Sequence, residues 1–257
     1  MFKYNYSMEK ILVVASERFG DNICCAGAIC QIKNAEIIVA TTKRFGDALL
    51  NIPNVKQVLY MNYTAADAYA RDNGYRIIQT TLSCIPRYTH RLDARLSNHL
   101  NRFGFDYIKP MTAFFPTEEE INWANDFAIK HNDKPLLGVE SSYGSNQGYL
   151  RQNHLDSIVG KYADKYHILW LCPDNYPARR DKIIELGQVK RRYVCTLMSK
   201  ISLFLSSFSG YYWVSRALEK PPETVCFVED QYQQWTDGKG VKFVSFIKFC
   251  EWFYKDV

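Results

Sequence analysis

The chain predicts an α/β fold built from two doubly wound, Rossmann-like domains facing a cleft. Three observations carry this expectation. Short, continuous apolar runs alternate with helical segments, the pattern of a parallel sheet covered on both faces. The polar stretch His131-Asn132-Asp133-Lys134-Pro135 interrupts that alternation, and the pattern restarts after it. In Ile201 to Asp230 an apolar strand runs into a Gly-containing turn and a helix. Such a junction leaves backbone N–H groups unpaired at the helix start, where phosphate docks. The domains are therefore expected at residues 1–132 and 133–257.

Taken in order, Lys10 to Ala15 reads as a strand and Ile23 to Ile32 as an apolar helix. Glu36 to Ala40 is the next strand, and Lys43 to Leu50 a helix ended by Asn51 and Pro53. Val55 to Tyr60 and Arg76 to Gln79 are further strands. Thr117 and Glu120 form a capping box, Glu118 and Glu119 suit the N-terminal dipole, and the helix runs to about Lys130. After the linker come strand Leu136–Val139, turn Glu140–Gln147, helix His154–Lys165, strand Ile168–Cys172 and helix Arg179–Leu186. Strand Leu203–Leu205, helix Tyr211–Leu218, strand Thr224–Val228, strand Val241–Val244 and an amphipathic helix Phe246–Tyr254 complete the reading.

Composition narrows the class. Hydrophobic residues make up 47% of the 257, enough for a sizeable core. No apolar run approaches a membrane span, and the opening lacks the pattern of a signal peptide, so a soluble cytoplasmic protein is expected. The eight cysteines include no C-x-x-C pair, which argues for buried thiols and against a zinc site. A net charge of +5 permits a polyanionic partner without requiring one.

Two stretches resemble the heptosyltransferase-like GT-B glycosyltransferases. The first is an apolar strand, a short loop and Gly20-Asp21 before a small-residue helix, followed by a second strand–helix–strand unit over Glu36–Tyr60. The second is Leu203 to Val228, where Ser209-Gly210 lies at the family's Ser/Thr-Gly turn and Ala217-Leu218-Glu219-Lys220-Pro221 matches its "AL-x-[KR]-P". The resemblance implies a GT-B fold with an N-terminal acceptor domain, a C-terminal nucleotide-sugar domain and a last helix crossing back to the first. It implies Asp21 as catalytic base and backbone N–H groups at Ser209 and Gly210 for the donor pyrophosphate. It further implies phosphate contacts in the loop after Leu136–Val139, at Ser141, Ser142 and Gly144. Arg151 is expected to neutralise phosphate and Glu229 to bind sugar or ribose hydroxyls, the alternatives being an ordinary polar loop and a solvated loop charge. The family's turn Asp is Phe208 here, its helix His is Trp213, and its donor-loop Lys falls near Gly148.

Alternatives stand beside these roles. Asp21 is either the base or a cap for a helix beginning at Asn22 or Ile23. Trp213, with Phe208, Tyr211 and Tyr212, either stacks on the donor or packs in the core. Arg91, Arg95, His99 and Arg102 share one helical face with Arg87 before it, either as a phosphate-binding stripe or as a solvated face. Arg18, Arg87, Arg91 and Arg95 are the expected acceptor contacts. With no Asp-x-Asp motif, neither metal nor cofactor is expected, and the substrate is a nucleotide-sugar, expected to be UDP-linked. The favoured acceptor is a hydroxymethylated base in DNA, as in phage DNA modification. A saccharide of lipopolysaccharide or another surface glycan is the alternative, and a non-catalytic sugar-nucleotide-binding module the third reading.

Overall fold

The computed structural model describes residues 8–15, 18–80, 91–105, 107–140, 152–172, 176–207, 209–227 and 241–244. The chain forms two compact units, Met1–Phe115 and Pro116–Val257.

The first unit is built on a parallel sheet of β1 (Glu9–Val14), β2 (Ala35–Thr41), β3 (Val55–Tyr60) and β4 (Arg76–Gln79), in the order β3-β2-β1-β4. Ile11, Leu12 and Val13 of the inner strand β1 are fully buried, as expected of a strand covered on both faces. Helix α1 (Phe19–Ile29) begins four residues earlier than the sequence suggests, because buried Phe19 anchors the first turn and Arg18 takes the N-cap in extended backbone. Gly27 lets the segment after Gly104 press onto α1: a Cβ there would meet the Met111 carbonyl oxygen at 2.2 Å. Ala113 donates its N–H to the Ile23 carbonyl at 3.2 Å, and Gln31 Nε2 reaches the Lys109 carbonyl at 2.9 Å.

One expectation for this unit fails, and one helix is present that the sequence reading did not include. The helix expected over Lys43–Leu50 is a single 3₁₀ turn, Gly46–Leu49, closed by Asn51 in the left-handed region (φ 63°). Helix α2 (Tyr63–Asn73) has only Ala66 and Ala70 buried, so it lacks the large apolar stripe that would announce it. Asn62 caps its start, accepting from Ala65 N–H at 2.9 Å, and Gly74 ends it at φ 69°. Helix α3 (Leu92–Asn101) packs against α1.

The second unit contains a parallel sheet of β5 (Leu136–Val139), β6 (His167–Trp170), β7 (Ile183–Glu185), β8 (Ile201–Ser206), β9 (Glu223–Phe227) and β10 (Val241–Val244). Their order is β10-β9-β8-β5-β6-β7. Trp170, Phe204 and Tyr212 are fully buried in its core. The unit opens with α4 (Glu118–Lys130), whose capping box between Thr117 and Glu120 is present. The break between units falls at Pro116, ahead of this helix, rather than at the 132/133 linker. The reason is that α4 packs on α6 (Arg191–Leu197) through a buried bidentate pair, Arg192 to Glu120 at 2.6 and 2.9 Å. The helix expected over Arg179–Leu186 is a 3₁₀ turn (Arg180–Lys182) followed by β7, where Ile183 and Ile184 pair with Ile168 and Leu169 of β6. Helices α5 (Gln152–Tyr162) and α7 (Gly210–Arg216) complete the described elements. The helix expected over Phe246–Tyr254 lies outside the described residues.

Each sheet has one point where the strand order reverses. The first three strands run outward from β1, and β4 then lies on β1's other side. Likewise β6 and β7 lie to one side of β5, while β8 to β10 lie to the other. The carboxyl ends of β1/β4 and of β5/β8 are therefore where doubly wound sheets bind ligands.

Candidate functional site

At the β5/β8 reversal, Glu140 follows β5 directly and extends the ladder, its N–H donating to the Leu205 carbonyl at 2.9 Å. Its side chain is 2% exposed. Ser206 Oγ, at the end of β8, donates to Oε2 at 3.0 Å, and Ser209 Oγ donates to Oε1. Ser209 is the N-cap of α7, and its hydroxyl also accepts from the Tyr211 N–H at 3.2 Å. Ser206 and Ser207 are buried. Burial pushes the Glu140 carboxyl up to about 8, against a smaller opposing effect from the two serine hydroxyls. The arrangement is a buried carboxyl group with two serine hydroxyls as partners, at the strand-order reversal of the second sheet.

At the β1/β4 reversal, Asp21 occupies the third position of α1 and is 7% exposed. It is not the N-cap, since Arg18 holds that place without a side-chain cap bond. A carboxylate in the first helical turn is favoured by the dipole, and α1 is the helix that follows the inner strand β1. Thr80, following β4, closes this end. Its N–H donates to the Val14 carbonyl at 2.8 Å, and its hydroxyl contacts Cys25 Sγ at 3.3 Å. Burial pushes the Cys24 thiol well up, and the negative charges of Asp93 and Asp21 add to it. Two carboxylates, from α3 and α1, thus act on one buried thiol, which stays protonated and unreactive.

The expected acceptor stripe is not an open basic face. Arg95 is buried. Arg91 caps α3 and is engaged by Asp93, with Nε–Oδ1 at 3.3 Å and Nη2–Oδ2 at 2.9 Å. His99 bonds the Gln79 carbonyl at 2.8 Å, and burial lowers its pKa. Arg18 and Arg102 are exposed. Trp213 is 5% exposed and packs edge-on to Tyr212, 5.3 Å between centroids, so both are core residues rather than a stacking platform. Of the expected donor residues, Ser209 and Gly210 lie at the β5/β8 end. Ser141, Ser142, Gly144, Arg151 and Glu229, with Arg87 and Phe208, lie outside the described residues.

Sequence reasoning missed Glu140 and Ser206. The available signal was a carboxylate placed immediately after an all-apolar strand, with serines ending another. A separate groove of about 570 Å³ is lined by Glu118, Glu119, Asn122, Trp123, Asp126 and Tyr193. Its acidic lining repels phosphate. Among the described residues, no group of three or more His, Cys, Asp or Glu could hold a metal ion, no helix is long and apolar enough to cross a membrane, and six cysteines are free thiols.

No family model matches the sequence. The described fold is that of GT-B glycosyltransferases. A glycosyl transferase family 9 protein from Veillonella parvula superposes with a TM-score of 0.74 at 11% identity, over 95% of this chain and 89% of that one. E. coli heptosyltransferase WaaC, solved with ADP-2-deoxy-2-fluoro heptose, gives 0.63 at 11% identity over 96% and 100%. E. coli ADP-heptose lps heptosyltransferase II gives 0.62 at 14% identity over 91% and 90%. In sequence, the chain is 26% identical over 161 residues to outer capsid protein VP2 of Bluetongue virus 3, a match covering 56% of this chain and 16% of that protein.

Proposed function

We propose that this chain is a glycosyltransferase that moves a sugar from a nucleoside-diphosphate donor to an acceptor hydroxyl. The observation that carries the reading is Asp21, a nearly buried carboxylate in the first turn of the helix that follows β1, beside the strand-order reversal of the first unit. In this role it accepts the proton of the acceptor hydroxyl as that oxygen attacks the anomeric carbon. The sugar–phosphate bond breaks and the nucleoside diphosphate leaves with the electron pair. The second unit holds that diphosphate at the carboxyl ends of β5 and β8, against the Ser209-Gly210 backbone, with Ser141, Ser142, Gly144 and Arg151 as further contacts and Glu229 toward sugar hydroxyls.

The fold likeness to heptosyltransferases supports this donor class, and one of them was solved with an ADP-linked sugar. ADP-sugars are therefore the first donors to try, ahead of the UDP-sugars expected from the sequence. For the acceptor, a saccharide is the better reading. Hydroxymethylated DNA rests on the compact size, the altered donor residues and a basic acceptor half, and in that half Arg95 is buried and Arg91 is engaged by Asp93. A surface that tracks phosphates needs exposed cations.

Thermal-shift titration with ADP-, UDP- and GDP-sugars tests the donor, followed by transfer assays on lipopolysaccharide core and on hydroxymethylated duplex DNA. The expected result is a raised Tm with one donor class and transfer to the saccharide. No shift with any nucleotide-sugar would defeat the transferase reading. Transfer to DNA alone would reverse the acceptor assignment.

A further inference from the structure

The groove of about 570 Å³ is lined wholly by two packed helices, α4 with Glu118, Glu119, Asn122, Trp123 and Asp126, and α6 with Tyr193. Its volume is that of a small-molecule cleft. Glu118, Asn122 and Asp126 stand four residues apart and form one row along α4. At 1.5 Å of rise per residue, the two carboxylate positions are ~12 Å apart. Trp123 and Tyr193 line the same groove with their rings at 87° and centroids 5.3 Å apart. The Tyr193 hydroxyl donates to Glu119, which fixes that ring. The helix dipole accounts for acids at Glu118 and Glu119, but Asp126 lies past the middle of the 13-residue helix. Among the described residues neither Glu118 nor Asp126 meets a cation, whereas Glu120 on the same helix is paired with Arg192. On a chain of net charge +5, this is negative charge left open in a groove with aromatic walls.

We propose that this groove binds a linear polyamine of spermidine's length, with its terminal ammonium groups on Glu118 and Asp126 and its methylene chain along Trp123 and Tyr193. The chemistry of the lining selects this class. Carboxylates attract ammonium groups, and aromatic rings take both the methylenes and the cation beside them. A phosphate is repelled by the same carboxylates, and a neutral sugar leaves their charge uncompensated. A linear polyamine instead carries cations at both ends of an apolar stem, the order in which acid, ring and acid follow along α4. The proposal stands apart from the transferase reading, because α4 and α6 hold none of the residues assigned there to donor or acceptor.

Calorimetry and tryptophan emission on the full chain at low ionic strength test it, with spermidine and putrescine as probes. Spermidine should bind one per chain, change the tryptophan emission, and bind more tightly than putrescine, whose shorter stem does not reach both carboxylates. Glu118→Gln and Asp126→Asn should each weaken spermidine by up to about fivefold, the range of a solvated ion pair. Each should also erase its advantage over putrescine. Trp123→Phe keeps an aromatic ring, so it should keep binding and lose the emission change. Asp72→Asn, at an exposed acid on α2 of the first unit, should leave the affinity unchanged. No saturable binding of spermidine would overturn the proposal. Equal losses in Asp72→Asn and Asp126→Asn would also overturn it, leaving only diffuse attraction to surface charge. Putrescine binding as tightly as spermidine would defeat the two-ended seating. A trilysine peptide binding more tightly than spermidine would defeat the polyamine assignment in favour of a basic protein segment.

Discussion

Two glutamates of the second unit are buried alike and keep opposite company. Glu120, 6% exposed, meets a bidentate Arg192 and the backbone N–H of Thr117 at 2.8 Å. Glu140, 2% exposed, meets two serine hydroxyls and, among the described residues, no cation. The first carboxylate ties the start of α4 to α6. The second lies at the one place in its sheet where strand order reverses. The difference teaches how to tell a structural buried charge from a functional one. A carboxylate compensated by a cation and a cap bond holds helices together. A buried carboxyl group left with hydroxyls has its pKa raised toward neutrality.

The largest effect that can break this comparison comes from Arg192→Met. Stranding Glu120 without its partner should cost ~3–5 kcal/mol, read from denaturant unfolding. Replacing both partners by apolar residues should recover most of that loss. An unchanged unfolding midpoint for Arg192→Met would mean that the pair holds nothing.

A smaller and pH-dependent effect comes from Glu140→Gln. The Glu140 carboxyl moves from an ordinary 4.5 to about 8 on folding. Between those values the folded chain holds a proton that the unfolded chain has released. Its contribution is therefore complete below 4.5, falls as pH rises and levels off above about 8. Within that window the wild type should lose up to ~1.4 kcal/mol per pH unit relative to Glu140→Gln. Parallel stability profiles for the two proteins would show Glu140 ionised throughout and erase the contrast with Glu120.

Much of the fold was legible because parallel strands buried on both faces write themselves as apolar runs. Leu136–Val139 and Val55–Tyr60 were read to the residue, and the Thr117 capping box marked α4. What escaped had weak local signals. Helix α2 buries two alanines only, and β7 is three residues whose apolar pair also suits a helix. The domain break was misplaced because a polar linker is local, whereas the Arg192–Glu120 pair spans 72 positions. The site was half legible. Asp21 and Ser209 follow from strand–turn–helix order. Glu140 acquires its character from Ser206 and Ser209, which only the β5–β8 pairing brings to it. The basic stripe had helical spacing, yet spacing alone does not tell that Arg95 points into the core.

The most direct test of the account separates the two units by one substitution. Asp21→Asn keeps the size of the side chain and removes the base. With a donor found in the nucleotide-sugar panel, its single-turnover transfer rate should fall by ~10²–10⁴-fold while calorimetric affinity for the donor stays at the wild-type value. A near-normal rate in Asp21→Asn would contradict the account and leave Asp21 as a first-turn residue serving helix α1.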